Sequence, residues 1–296
     1  MRVVIAGSSG LIGTSLVASM RAAGHEVLRL VRRKAAAPDE RGWDPYAGRI
    51  DEGTFDGAGA VVNLCGAGIG DKRWDDARKQ VLHDSRVVPA EVLSAAVVEH
   101  GVPALVNASG AHFYGDTGAR LVAEDAPGGH TFMARLTQDW EAATSAAREA
   151  GVRVVLMRTA VVISPSGGVF GRLKPVFQLF LGGRLGTGEQ FFPWVSLDDV
   201  VSAYRFVVEH EEIRGPVNVA APGAVTNAEF TRAVGTALRR PTPWVVPAFA
   251  LKALLGGEMA QELLLSGPGL APEVLESRGF QFLHPALPAA LTAAVA

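Results

Sequence analysis

The sequence predicts an α/β protein: a doubly wound parallel sheet followed by a smaller α+β C-terminal lobe. Three observations carry that expectation. Short β-branched runs alternate with amphipathic segments from Arg2 to Thr159. A glycine-rich turn joins the first run to the first amphipathic segment. Beyond Val162, glycines and then prolines punctuate short apolar stretches, a change of character that marks a second region. With 48% hydrophobic and 20% charged residues, the 296-residue chain has ample material for a buried core.

Arg2–Ala6 (RVVIA) reads as a buried strand ending at glycine. Leu11, Ile12, Leu16, Val17 and Met20 recur at helical spacing, and Gly24 closes that helix. His25–Val31 is the second strand, which completes a βαβ-sized unit. Ala60–Leu64, Ala104–Ser109 and Val152–Thr159 read as further strands. Between them lie a helix over Trp74–His100, expected to break near Pro89, and a long helix over Thr131–Ala150. Ser164–Gly188 carries seven glycines and reads as loop-rich ground suited to a substrate cleft. Leu197–Glu209 is helical, Pro216–Val219 a short strand, and Thr226 with Glu229 a capping box that opens a helix to Leu238. The expected division is a dinucleotide-binding domain over 1–163, its sheet completed by parts of 195–222. The smaller lobe is expected over 164–194 and 223–296.

The sharpest motif is Gly7-Ser8-Ser9-Gly10-Leu11-Ile12-Gly13, a GxxGxxG between a strand and a helix. In such a turn the first glycine permits the bend, the second lets backbone approach a pyrophosphate, and the third lets the helix pack closely. The helix N-terminus then offers unpaired N–H groups to the phosphates. The second strand ends in Leu30-Val31-Arg32-Arg33-Lys34, with no carboxylate for a ribose 2′-hydroxyl. Arg32 or Arg33 matches a 2′-phosphate instead, which favours NADP(H) over NAD(H); a solvated basic turn is the competing reading. Asn63-Leu64-Cys65-Gly66 follows another strand, and small residues there let the chain pass close to the adenosine ribose and pyrophosphate. Cys65 reads as a small buried residue, not a reactive thiol.

Other classes of function find little footing. Net charge is −2, with 28 basic and 30 acidic residues, so no basic excess points to nucleic acid. The seven histidines are scattered, so no metal site is expected. Neither a GxSxG elbow nor a P-loop string occurs. No apolar run is long enough to span a membrane, and the opening residues lack a secretory-signal pattern. A lone cysteine suits a reducing compartment, so a cytoplasmic protein is expected. Its expected partner is a small-molecule substrate, with no nucleic acid and no membrane; a homodimer stays open. Trp194, beside the glycine-rich segment, is a candidate substrate contact.

At this point the chain resembles an extended short-chain dehydrogenase/reductase. More narrowly, it resembles the atypical epimerase-family oxidoreductases with a distinctive small C-terminal domain. The likeness rests on Gly7–Gly13, Trp43-Asp44-Pro45, Asn63–Gly66, Ser85-Arg86, Tyr114-Gly115, Trp140-Glu141 and Arg158-Thr159. Further on it rests on Gly182–Gly186, Pro193-Trp194-Val195, Asp198-Asp199, Thr226-Asn227 and Gly279-Phe280. The resemblance implies a Rossmann-type domain in which Gly7–Gly13, Arg32, Leu64-Cys65 and Arg86 line an NADP site. Arg33, Asn63, Gly66 and Arg158 join them as candidate cofactor residues. Members of the family use a Ser or Thr and a Tyr-x-x-x-Lys pair for proton transfer. Counting back from Trp140-Glu141 puts Met133 at the Tyr position and Thr137 at the Lys position, and no Tyr-x-x-x-Lys occurs anywhere. The family register puts the serine at Gly110, one place after Ser109. Ser109 and Tyr114 are the catalytic candidates, with His112, Asp116 and Glu124 nearby. Two functions therefore stay open: an NADP-dependent oxidoreductase or epimerase-like enzyme, and a catalytically idle NADP-binding sensor.

Overall fold

The computed structural model describes residues 1–165 and 167–295. Along the chain, β1 (Arg2–Ala6), α1 (Leu11–Ala22), β2 (Glu26–Val31), β3 (Glu40–Asp44), β4 (Arg49–Ile50) and β5 (Ala58–Asn63) come first. Next are α2 (Asp76–Glu99), β6 (Ala104–Gly110), β7 (Leu121–Val122), α3 (Phe132–Ala142), α4 (Ser145–Glu149) and β8 (Arg153–Thr159). Then follow β9 (Val161–Ser164), α5 (Gly168–Gln178), β10 (Gly183–Leu185), β11 (Trp194–Ser196), α6 (Leu197–Glu209) and β12 (Gly215–Val219). The remainder is α7 (Asn227–Leu238), β13 (Trp244–Val246), α8 (Ala248–Leu255), α9 (Gly257–Ala260), β14 (Gly269–Leu270), α10 (Glu273–Ser277) and α11 (Leu287–Val295).

The main sheet has eight strands in the order β12-β8-β6-β5-β1-β2-β3-β4. All neighbours run parallel except β3 and β4. The chain builds outward from β1 in one direction, then returns to β5 and builds in the other. That reversal leaves a crevice beyond the carboxyl ends of β1 and β5, where open α/β sheets bind ligands. Alternate residues of β1 feed the two faces. Val3 and Ile5 pack with Leu16 and Met20 of α1 and Val200 and Tyr204 of α6. Val4 and Ala6 pack with Leu93 and Val97 of α2 and Ala147 of α4. Burial on both faces explains why these strands read as continuous apolar runs.

Three expectations need correction. Pro89 does not break α2, which runs unbroken across it. Leu82, Val87, Ala90, Leu93 and Val97 are buried along the helix, and that packing outweighs one missing backbone bond. The Thr131–Ala150 helix is instead two, α3 and α4. Thr144 turns the chain between them, its backbone N–H and its hydroxyl both donating to the Glu141 carbonyl. The glycine-rich segment contains a helix, α5, whose Phe170 and Phe177 are buried with Trp194, Phe230 and Leu287. Seven glycines masked that helical spacing. Among the described residues no helix is long and apolar enough to cross a membrane.

Candidate functional site

The first turn is built to receive an anion. Gly7 sits at φ +76°, and a methyl group on it would lie 2.7 Å from the Leu64 carbonyl carbon. Only glycine fits that combination of backbone angle and close approach. A methyl on Gly13 would lie 2.3 Å from the Gly7 carbonyl oxygen and 2.8 Å from the Ser8 Cα, so α1 packs directly on its own loop. Gly10 is the N-cap of α1, with no side-chain cap and no acidic residue in the first turn. Among the described residues, the N–H groups of the first turn, Leu11 and Ile12 among them, are therefore left without an intrahelical or side-chain acceptor. Glycines hold the backbone close while the helix end stays open, and a dinucleotide pyrophosphate fits both features.

The two arginines after β2 part company. Arg33 donates to both Glu40 oxygens, at 2.8 and 2.5 Å, and that pairing pulls the Glu40 carboxyl down to about 2. Glu40 also accepts from the Ala36 N–H. Arg33, expected to share a 2′-phosphate, is instead part of this loop's own scaffold. Arg32 is exposed and makes no hydrogen bond or ion pair among the described residues. Its charge acts on Cys65, across the crevice at the end of β5. Burial nevertheless pushes the Cys65 thiol up to about 12, which rules out a thiolate nucleophile there.

Asn63 shapes the β5 turn from beneath. Its Oδ1 accepts the Cys65 N–H at 3.1 Å, and its Nδ2 donates to Asn107 Oδ1 at 2.7 Å. The side chain is fully buried, so Asn63 supports the turn and does not face a ligand. Beyond Gly66, the Ser85 hydroxyl accepts the Ala67 N–H at 3.0 Å. Arg86 donates to the carbonyls of Ala67 and Leu82, both at 3.0 Å. It is 6% exposed, has no carboxylate partner among the described residues, and lies over the Trp140 ring at 5.3 Å. Burial lowers it to about 10, which still leaves it cationic at neutral pH.

The expected catalytic pair is committed elsewhere. Ser109 donates to Glu141 Oε1 at 2.6 Å, and Glu141 receives Arg158 through both Nε (2.8 Å) and Nη2 (2.9 Å). Arg158 also donates to the Tyr114 hydroxyl and the Glu124 carbonyl, and its guanidinium stacks 3.4 Å from the Phe113 ring centre. Tyr114 donates in turn to Asn218 Oδ1 at 2.7 Å. Burial pushes the Tyr114 hydroxyl above its ordinary value despite Arg158 beside it. Ser109, Tyr114 and Arg158 thus form one buried network that ties the ends of β6, β8 and β12. The assignment of Arg158 to the cofactor is corrected for the same reason: its donors are taken by protein. Glu124 belongs to the same support, accepting the N–H groups of Asn218 and Val274. Asp116 accepts the Gly118 N–H as an ordinary turn residue. Trp194 is 1% exposed with its indole N–H on the Gly223 carbonyl, so it is core and not a substrate contact.

Met133 packs with Leu82 and Leu136, and Thr137 donates to the Met133 carbonyl. The C-terminal region holds this helix in place. Glu262 accepts the N–H groups of Phe132 (3.0 Å) and Met133 (2.8 Å), closing the start of α3 from 129 residues away in sequence. Arg73 reaches the Ala253 carbonyl at 2.6 Å, Lys79 pairs with Glu258, and Arg172 of α5 bonds Gly70 and Asp71. Glu262→Ala should lower stability by about 2 kcal/mol, because two charge-assisted bonds at a helix N-terminus are lost. Urea unfolding checks this, and an unchanged midpoint refutes it. No cluster of three or more potential metal ligands occurs among the described residues.

A parallel sheet with a glycine turn at its switch point defines a dinucleotide-fold protein. The chain belongs to the NAD dependent epimerase/dehydratase family, which residues 3–220 match. Residues 246–294 match a domain of unknown function, DUF1731. An epimerase family protein of Mycobacterium bovis is 50% identical over 95% of this chain and 93% of its own. Human epimerase family protein SDR39U1 (isoform 2), solved with NADPH, superposes with a TM-score of 0.90 at 32% identity, covering 99% of this chain and 98% of that one. A nucleoside-diphosphate sugar epimerase from Corynebacterium glutamicum gives 0.82 at 33% identity, covering all of this chain and 58% of that one.

Proposed function

We propose that the chain binds NADP(H) and works as an oxidoreductase or epimerase-like enzyme on a small carbonyl or hydroxyl compound. The observation that carries this is the open α1 N-terminus facing the crevice, with Arg32 unpaired at the end of β2. The human relative solved with NADPH supports the choice of coenzyme. In this reading the turn from Gly7 to Gly13 holds the pyrophosphate and Arg32 the 2′-phosphate. Leu64 and Gly66 border the adenosine side, and the groove ahead of β6 takes the nicotinamide end. A bound nicotinamide would donate or accept a hydride there.

Calorimetry tests the reading directly. Arg32→Asp should weaken NADPH by roughly tenfold to a hundredfold, the value of about 1.5–3 kcal/mol for a charge-assisted bond, and leave NADH nearly unchanged. Arg33→Asp should disturb the loop through Glu40 while changing the coenzyme preference far less. No heat with NADPH, or an Arg32 variant that keeps the preference, sinks the assignment. The sensor reading retains one supporting observation. Met133 cannot transfer a proton, Thr137 carries no charge, and Ser109 and Tyr114 are committed to the buried network. Tight NADPH binding without turnover on a broad carbonyl panel would favour it.

A further inference from the structure

Two basic side chains follow the carboxyl ends of β5 and β6, and among the described residues no carboxylate pairs with either. His112 lies on the short turn Ala111–Tyr114 that follows β6. It is partly buried, and its ring makes no hydrogen bond among the described residues. Its neighbours Phe113 and Tyr114 are engaged by Arg158, and Gly115 is tied back to the His112 carbonyl. The turn is therefore rigid while the imidazole is free. Arg86 enters from α2 against Gly66 and Ala67, the same loop that borders the proposed coenzyme. Thr137 approaches from α3: a methyl on Gly110 would lie 3.9 Å from its hydroxyl oxygen and 4.0 Å from the His112 backbone nitrogen, so the turn that carries His112 starts beside Thr137.

We propose that His112 is the side chain that exchanges a proton with the substrate oxygen in this groove, and that Arg86 is its positioning residue. The inference deepens the proposed function and rests on that reading. A rigid backbone with an unbonded ring is what a proton-exchanging imidazole needs, since both nitrogens stay available. Burial, and after it the Arg86 charge, bring the imidazole down to about 4, so at neutral pH it is uncharged. Charged groups on the packed elements are few. Arg86, with Arg78 beyond it, comes from α2. Glu141 of α3 and Arg158 of β8 neutralise each other, and Arg135 and Asp139 of α3 are exposed.

The chemistry balances with these groups. When a substrate hydroxyl is oxidised, its O–H proton passes to the free ring nitrogen and the carbon–oxygen double bond forms. The C–H hydrogen departs with its electron pair to the oxidised nicotinamide. In the reverse direction the ring first takes up a proton from solvent and then returns it to the carbonyl oxygen; because the ring is uncharged at neutral pH, reduction through it should quicken as the pH falls. The nearby guanidinium disfavours the imidazolium, so it promotes that return. The pair would thus do from β6 and α2 what Met133 and Thr137 cannot do from α3.

The experiment has two arms on the full chain. In the first, nuclear magnetic resonance follows the histidine rings against pH without coenzyme. The His112 ring should titrate near pH 4. Arg86→Gln should raise that midpoint, and Arg86→Lys should restore it. NADPH should shift the His112 resonance. A His112 ring with an ordinary midpoint, indifferent to Arg86 and to NADPH, overturns the proposal. This arm needs no substitution at 112, so it stands even where a variant fails to fold. In the second arm, NADPH turnover is measured with a panel of small aldehydes and ketones. His112→Gln should lower kcat by roughly a hundredfold or more with NADPH affinity unchanged. Bound NADPH with no wild-type turnover, or turnover that ignores His112→Gln, overturns the role of His112 alone. Failure of the wild type to bind NADPH removes the coenzyme reading, and this inference with it.

Discussion

Replacing Arg158 by methionine should lower stability by about 3–5 kcal/mol, the usual cost of breaking a buried ion pair on one side. The substitution strands the Glu141 carboxylate, which is 7% exposed and among the described residues retains only the Ser109 hydroxyl. It also removes donors from Tyr114 and from the Glu124 carbonyl. Glu141→Leu added to Arg158→Met should recover a large part of the loss, because neither charge is then buried alone. Urea unfolding of the two single variants and the double gives the cycle. A single-variant loss under about 1 kcal/mol would show that solvent reaches this network and screens the pair.

The second large effect is at the nucleotide turn. Gly13→Ala should reduce NADPH affinity at least about a hundredfold, and should also destabilise the chain by roughly 1–3 kcal/mol. The added methyl meets backbone at 2.3 Å, so the Gly7–Ser8 loop must move. Gly10→Ala separates fold from ligand. Gly10 has φ −76° and its added methyl would find only the Gly7 oxygen, at 3.4 Å. The free protein should tolerate it, so a fall in NADPH affinity there reports crowding of the pyrophosphate itself. Calorimetry and thermal unfolding on both variants check the pair. Wild-type affinity in Gly13→Ala would contradict the placement of the coenzyme.

Local signals made the sheet and the turn legible. Strand runs such as Arg2–Ala6 are buried on both faces, so their apolar character survives in the sequence. The glycines of the turn are fixed by backbone geometry, which leaves only one residue type to choose. The family likeness, with its small C-terminal domain, also agrees with the matched segments. What was not legible depends on distant partners. Nothing near Arg33 in a strand-end motif marks it as Glu40's partner and Arg32 as the free one. Ser109 and Tyr114 look chemical beside the strand end, yet Glu141, Arg158 and Asn218 claim them from 32 to 104 residues away. Glu262 carried no motif at all, and its role exists only because the tail folds back on α3. A histidine's lack of partners is likewise a property of the folded neighbourhood.

Glu262 also bears on modularity. The helix that opens beside the groove begins on an acceptor delivered by the tail. A chimera that exchanges tails between relatives must therefore keep a carboxylate at this place, or the Phe132 and Met133 N–H groups lose their acceptor and α3 starts on its Thr131 cap alone. Coenzyme half and tail half are sequential along the chain, yet the order of one depends on a side chain of the other.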